Sequence, residues 1–283
     1  MTDRTWDPIV TPWHLDEDIP DFPVPATATP VARPALPDGP VPARMSLLHR
    51  AAFDVATRAA RPLLLSGDCP TARAVVAAMQ RRHDDLAVVW LDAHGDFNTP
   101  AISTSGYVGG MALAMLTGRT PGLFDDPLGL RPVPDTSVVL ADARDLDPAE
   151  RAALTASDVR RVRADPEAIT AALERLGPVH LHLDIDVIDG AELPGARFPT
   201  GSGPSLARIE ECLTAVCATA DVVSASIACA WLPEYIGEEV IRETMSRLGA
   251  ALGAELRWSA AACRECVKVF SKNVKKTNPA MGG

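Results

Sequence analysis

Leu86-Ala87-Val88-Val89-Trp90-Leu91-Asp92-Ala93-His94-Gly95-Asp96 decides how the chain is read. Its first six residues are apolar and include two β-branched valines. That length suits a buried strand and is too short for a core helix. The run is apolar throughout rather than alternating, which predicts a strand covered on both faces, as in a parallel sheet. Runs of the same kind recur at Pro62 to Ser66, Ser137 to Ala141, Val179 to Ile185 and Val222 to Trp231. Between them the spacing turns helical: Leu47, Leu48, Ala51, Ala52 and Val55 after Arg44, then 71–83, Met111 to Thr117, Pro166 to Leu176, Leu206 to Thr219 and Glu238 to Leu252. Strands alternating with amphipathic helices predict an α/β fold with a mainly parallel sheet between two helical layers. Open sheets of this kind bind ligands beyond the carboxyl ends of their strands, so the polar residues there are read first for chemistry.

Composition narrows the function classes. The 283 residues are 47% hydrophobic and 23% charged, which excludes a disordered chain. A net charge of −10 and a pI near 5.1 exclude a general binder of nucleic acid or of anionic membrane surfaces. No apolar run reaches the ~18 residues of a membrane span, and the acidic start has no signal-peptide core. Six cysteines, at 69, 212, 217, 229, 263 and 266, are too sparse for a disulfide framework, so a cytoplasmic enzyme with reduced thiols is the expectation. Ten of the 25 prolines fall in residues 1–45, which predicts an irregular segment wrapped on the domain. Within it Pro8 to Thr11 has the makings of a short strand, and Asp16 to Pro42 reads as surface loop. Residues 46–258 read as a single domain. Residues 259–283, with five basic side chains against one acidic, read as a flexible basic tail.

Two strand ends carry metal-type residues. Asp92, His94 and Asp96 alternate and can converge on one side. Carboxylates with an imidazole suit a divalent cation such as manganese, with zinc, iron or nickel as alternatives. The plainer reading is a turn rich in Asp and Gly with a hydrogen-bonded His. In His180-Leu181-His182-Leu183-Asp184-Ile185-Asp186 every second residue is polar, which predicts His180, His182, Asp184 and Asp186 on one strand face. Carboxylates on a buried face need a cationic partner, and a metal ion supplies it.

Four segments, in order, resemble the strand-end motifs of the ureohydrolase (arginase and agmatinase) family. They are Ser66-Gly67-Asp68-Cys69, Asp92-Ala93-His94-Gly95-Asp96-Phe97-Asn98-Thr99-Pro100, Arg144-Asp145-Leu146-Asp147-Pro148 and Asp184-Ile185-Asp186. The resemblance implies a three-layer α/β/α fold of arginase type. It also implies two manganese ions about one bridging hydroxide that attacks a guanidinium or amidine carbon. Position by position, it implies that Asp92 and Asp184 bridge both ions, that His94 and Asp186 complete the second site, and that Cys69 and Asp96 belong to the first. Asn98, Ser105 and Asp147 match positions that contact the α-amino and α-carboxylate groups of the substrate in arginases. Turn and loop packing is the plainer reading of those three.

The chain also departs from the family pattern. Cys69 stands where the family has a His ligand, and its softer sulfur favours zinc or iron over manganese. Gly109 replaces a proton-shuttling His of arginases, and Ala230 replaces a Glu that grips the guanidinium. Tyr107, His182 and Glu234 are the candidates to make good the loss. His182 leads because it shares a face with Asp184, as a proton relay or as an imidazole behind the ligands, while Asp96 would accept a hydrogen bond at the reacting centre. Cys212, Cys217 and Cys229 read as packing residues, and Cys263 with Cys266 as a weak redox or half-zinc spacing. The expected function is metal-dependent hydrolysis of a C–N bond in a small linear amidine or guanidino compound, by a homo-oligomer. The rival is a non-catalytic arginase-like protein that holds an amino acid through Asn98, Ser105 and Asp147. Amide hydrolysis on the same fold is a third reading, by analogy alone.

Overall fold

The apolar runs form the strands they predict. The computed structural model describes residues 5–20, 22–124, 128–232 and 237–258. In chain order, β1 is Asp7–Thr11, β2 Trp13–His14, β3 Glu17–Asp18, β4 Thr29–Pro30, α1 Val41–Ala56, β5 Pro62–Ser66 and α2 Ala72–Met79. Next come β6 Ala87–Asp92, α3 Ala112–Leu116, β7 Val138–Asp142, α4 Pro148–Thr155, β8 Arg160–Val162 and α5 Pro166–Ala172. The order closes with β9 Val179–Asp184, α6 Leu206–Thr219, β10 Val222–Ala228 and α7 Glu238–Ala251.

Eight strands make one sheet in the order β4-β1-β5-β10-β9-β6-β7-β8, with every pairing parallel. A small antiparallel pair, β2 with β3, stands apart. Successive residues of a strand point to opposite faces, and the two cores follow that alternation. Leu63, Leu65, Val89, Leu91, Leu181 and Leu183 pack under α5, α6 and α7 through Ile169, Leu213, Met245 and Leu248. Leu64, Val88, Trp90, Val138 and Leu140 pack on the other face under α1, α2 and α3 through Leu48, Val75 and Leu113. Each such aliphatic side chain contributes about 1.5–3 kcal/mol on burial. The result is the three-layer α/β/α arrangement with a parallel sheet.

The second face changes character at β9 and β10. There His180, His182, Ser224 and Ser226 take the places that apolar residues hold on the neighbouring strands, and all four are buried. In register, His180 lies across from Ser224 and His182 across from Ser226.

Several boundaries differ from the sequence reading. The proline-rich start contributes β1 to the sheet interior, between β4 and β5, and α1 begins at Val41 rather than Arg44. The helix expected over 71–83 ends at Met79 and continues as turns. Helix α4 and edge strand β8 were not foreseen, because Asp147-Pro148 reads as a turn. Asp147 instead precedes the helix with Pro148 in its first turn, where a missing N–H costs nothing. Cys212 and Cys229 are buried as expected, while Cys217 is half-buried. Glu234, the Cys263–Cys266 spacing and the basic tail lie outside the described residues. No helix among the described residues is long and apolar enough to cross a membrane.

Candidate metal centre

A cavity of about 210 Å³ opens at the carboxyl ends of the central strands. Cys69 reaches it from the loop after β5, Asp92, His94 and Asp96 from the end of β6, and Asp184 and Asp186 from the end of β9. All six residues picked from the strand ends therefore line one space. The alternation that placed Asp186 on the strand face stops at Asp184, however. Residues Ile185–Val187 form a 3₁₀ turn, held by the Asp184 carboxylate accepting the Asp186 N–H at 2.9 Å.

Asp92 is the pivot. Its Oδ1 accepts the His94 backbone N–H at 2.7 Å, and its Oδ2 accepts the Trp90 indole N–H at 3.1 Å. On one side, His94 Nδ1 stands 3.1 Å from Asp186 Oδ2 and 3.4 Å from Asp92 Oδ1. On the other, the Cys69 thiol donates to Asp184 Oδ2 at 2.8 Å. Donor atoms of Asp92, His94 and Asp186 all lie within 4.8 Å of one another, and so do those of Cys69, Asp92 and His182.

The electrostatics ask for positive charge. Burial and the Asp92 carboxylate push the pKa of Asp96 well above the ordinary Asp range. Burial with Asp186 and Asp92 does the same to Asp184. Asp186 is pushed up to about 7, chiefly by burial and then by Asp92. Burial opposes the charged form of His94, but hydrogen bonds to Asp186 and Asp92 outweigh it and carry the imidazole up to about 12. Burial and the three neighbouring carboxylates also raise the Cys69 thiol. Carboxylates packed this closely repel one another until a cation sits among them.

Asp96 itself is held in left-handed backbone with φ of +49°, a conformation uncommon for a residue with a side chain. Two buried acceptors on residues of the cavity lining, Asp96 Oδ2 and Asn98 Oδ1, have no hydrogen-bond partner, and neither has His182 Nε2 behind the wall. Orphaned buried acceptors are rare and point to a ligand or an ion. The donor set and these orphans both fit divalent cations.

Asn98, Ser105 and Asp147 line the same cavity, where Asn98 Nδ2 donates to Asp147 Oδ2 at 3.3 Å. His182, read as a proton relay or as an imidazole behind the ligands, is fully buried and is not part of the cavity wall. Its ring stacks on Trp90 with centroids 3.5 Å apart. The gap left by Gly109 is filled: a Cβ there would stand 2.3 Å from the Tyr107 ring. The Tyr107 hydroxyl lies 2.9 Å from His14 Nε2, and His14 Nδ1 lies 2.8 Å from the Gly67 carbonyl. That carbonyl can only accept, so Nδ1 carries the proton and Nε2 accepts from Tyr107.

Other residues of the site escaped the sequence reading. Glu150, in the first turn of α4, accepts the Phe97 N–H at 2.8 Å and so pins the turn that carries His94 and Asp96. Its signal is the acidic residue two places after Pro148. Arg197 and Phe198 line the cavity wall, and nothing in their local sequence marks them. Asp68 binds Leu15 N at 2.6 Å and Thr71 N at 2.9 Å, which ties the N-terminal segment to the start of α2.

A sequence model of the Arginase family matches residues 13–257. Arginase from Staphylococcus aureus (strain COL) is 37% identical over 147 residues, which cover 47% of this chain and 48% of that protein. N(omega)-hydroxy-L-arginine amidinohydrolase from Streptomyces lavendulae is 33% identical over 151 residues, covering 52% and 53%. The chain thus spans about half the length of the curated relatives it matches. The crystal structure of arginase from Bacillus subtilis superimposes with a TM-score of 0.75 at 21% identity, over 88% of this chain and 98% of that one. A family match running through every strand-end motif, on an arginase fold with its carboxylates gathered at one cavity, places the chain in the Arginase family.

Proposed function

We propose that the protein is a metal-dependent hydrolase of a C–N bond in a small linear amidine or guanidino compound. The observation that carries this reading is the convergence of Asp92, His94, Asp96, Asp184, Asp186 and Cys69 on one cavity that also holds orphaned acceptors. Asp92, Asp184, Asp186 and His94 would hold one divalent cation, and Asp92, Asp184, Asp96 and Cys69 a second. Such ions, when bound, supply the Lewis acidity that activates water and polarises the carbon under attack. Manganese fits the oxygen-rich half, and zinc, iron or nickel the half that contains sulfur.

The chain's own groups do the rest. Asp96 Oδ2, buried without a partner, is free to accept a hydrogen bond from the attacking water and fix its direction. Tyr107 lines the cavity with its hydroxyl proton committed to His14 Nε2. A proton arriving at the Tyr107 oxygen therefore passes on to His14, so this pair can do the work of a shuttle at position 109. Asn98, Ser105 and Asp147 would hold the polar end of an amino-acid-like substrate. Arg197 brings the positive charge a carboxylate needs. With Ala230 on the wall, no carboxylate from that position grips a guanidinium, so guanidino and amidine compounds other than arginine are the better candidates.

Release of urea or ammonia from a panel of guanidino and amidine compounds, with manganese, zinc, iron or nickel supplied, tests this. Turnover of at least one compound is expected. An amino acid that binds while no compound is hydrolysed with any metal would overturn it in favour of a binding protein built on Ala230 and the same polar wall.

A further inference from the structure

His182 is the buried group that the proposed chemistry leaves unused. It is inaccessible to the cavity, yet its Nε2 has no partner, and a nitrogen of its ring lies within 4.8 Å of the Cys69 sulfur and an Asp92 carboxylate oxygen. Its other nitrogen is engaged: Nδ1 is 2.7 Å from the Ser226 hydroxyl. Ser226 Oγ is also 3.0 Å from His180 Nε2, and His180 Nδ1 is 2.9 Å from Ser224 Oγ.

These contacts assign the protons. If Ser226 donated to His182 Nδ1, the ring would carry a buried N–H at Nε2 with no acceptor in hydrogen-bond range. In the reverse direction each of the three contacts carries one proton and no buried N–H of His182 is left unpaired. His182 Nδ1–H donates to Ser226, Ser226 O–H donates to His180 Nε2, and His180 Nδ1–H donates to Ser224. That leaves the lone pair of His182 Nε2 unused on a ring that lies beside Cys69 and Asp92, the state a metal-ligating imidazole adopts. Trp90 adds rigidity, since the indole that stacks on His182 also donates to Asp92 Oδ2.

We propose that His182 is a metal ligand, and that Cys69 Sγ, an Asp92 oxygen and His182 Nε2 form an N/S/O site for a zinc-class cation, with the Ser226–His180–Ser224 row fixing the ring. The proposal rests on the metal-dependent reading above but not on turnover. One sulfur, one imidazole nitrogen and one carboxylate oxygen are donors that suit zinc or cobalt(II) in tetrahedral geometry better than manganese. A histidine absent at position 69 is then compensated from β9, two strands across the sheet from β5, rather than left open.

The test is cobalt(II) titration of the reduced, metal-free full chain, followed by its absorption spectrum. A thiolate-to-cobalt charge-transfer band saturating at one equivalent is expected, and Cys69→Ser should abolish it. Ser226→Ala should keep the band but weaken cobalt binding by ~10–100-fold, the usual effect of removing the group that orients a ligating imidazole. His182→Asn, which keeps a contact to Ser226 and loses the Nε2 donor, should weaken it further. Absence of the band, or unchanged cobalt affinity in folded His182→Asn, overturns the site. Should that variant not fold, zinc-edge X-ray absorption of the unmodified protein decides. Sulfur and imidazole on one zinc support the site, and a sulfur-free shell at one equivalent overturns it. A thiolate band in a protein that hydrolyses none of the panel supports the site and overturns the catalytic reading alone.

Discussion

The two sides of Asp92 differ in a way that the family pattern does not prepare for. Toward β9's end, Asp92, His94 and Asp186 form an oxygen-rich group at the cavity surface, where the His94 side chain is 30% exposed. Toward the sheet interior, Cys69, Asp92 and His182 form a buried group with sulfur and nitrogen donors. The outer group is built from turn residues just past two strands, whereas the inner one takes its imidazole from within β9 and locks it by side-chain bonds to β10. One carboxylate thus serves two environments of different softness. The difference follows depth: the turns past β6 and β9 carry the half-buried His94 and its carboxylate partner Asp186, while the loop after β5 and the body of β9 carry the buried Cys69 thiol and His182 imidazole.

The most severe way to break this contrast is to remove the residue the groups share. Asp92→Ala should lose both ions and reduce turnover to background, measured by metal analysis and steady-state kinetics. Asp184→Ala should also abolish turnover, because its carboxylate touches both Cys69 and the Asp186 turn. Full activity in either variant would put the chemistry outside this cavity. A sharper perturbation is Cys69→His, which exchanges sulfur for nitrogen on the inner side alone. It should add a second tight manganese equivalent, read by calorimetry. Two equal, tight manganese equivalents in the unmodified protein would refute the argument from ligand softness.

How much of this was legible in the sequence depended on periodicity. Runs such as Val88-Val89-Trp90-Leu91 declare a strand buried on both faces, and the acidic residues that follow them declare its carboxyl end. The metal-type residues could be read because they sit where those runs stop. Asp186 was misplaced by one assumption, that the alternation of 180, 182 and 184 continues, whereas the chain turns after Asp184. The pairing of His182 with Ser226 depends on the register of β9 against β10, strands separated by a helix, and no local pattern fixes register. The same holds for Tyr107 and His14, which meet across 93 positions of sequence. Glu150 was hidden because Asp147-Pro148 serves equally as a turn and as a helix start.

Of intermediate size is the effect of Tyr107→Phe. The ring still fills the space beside Gly109, so the fold should be unchanged, but the link to His14 is cut. We expect kcat to fall by ~10²-fold or more with KM little altered, in line with what a positioned proton donor or acceptor supplies. His14→Ala should give a similar loss, and the double variant should be little worse than either single one, because both remove the same path. Additive losses would show that the two residues act separately, and an unchanged kcat in Tyr107→Phe would leave Tyr107 as a packing residue.

The smallest expected effect concerns the support of the outer group. Glu150 is 3% exposed and receives the Phe97 N–H, while Gly95 lies so close that a Cβ there would stand 2.7 Å from its carboxylate oxygen. Removing the carboxylate leaves a buried backbone donor unpaired, at about 1–3 kcal/mol. Glu150→Ala should therefore lower the melting temperature by roughly 2–4 °C per kcal/mol lost in a chain of this size. Glu150→Gln retains an oxygen for the same N–H and should lower it much less. Because the turn carries the outer imidazole, His94, but of the groups around Cys69 only Asp96, the alanine variant should loosen manganese on the outer side more than cobalt on the inner side, and the thiolate–cobalt band should persist. If both sides weaken equally, the two halves of the site are one mechanical unit, and the division drawn at Asp92 fails.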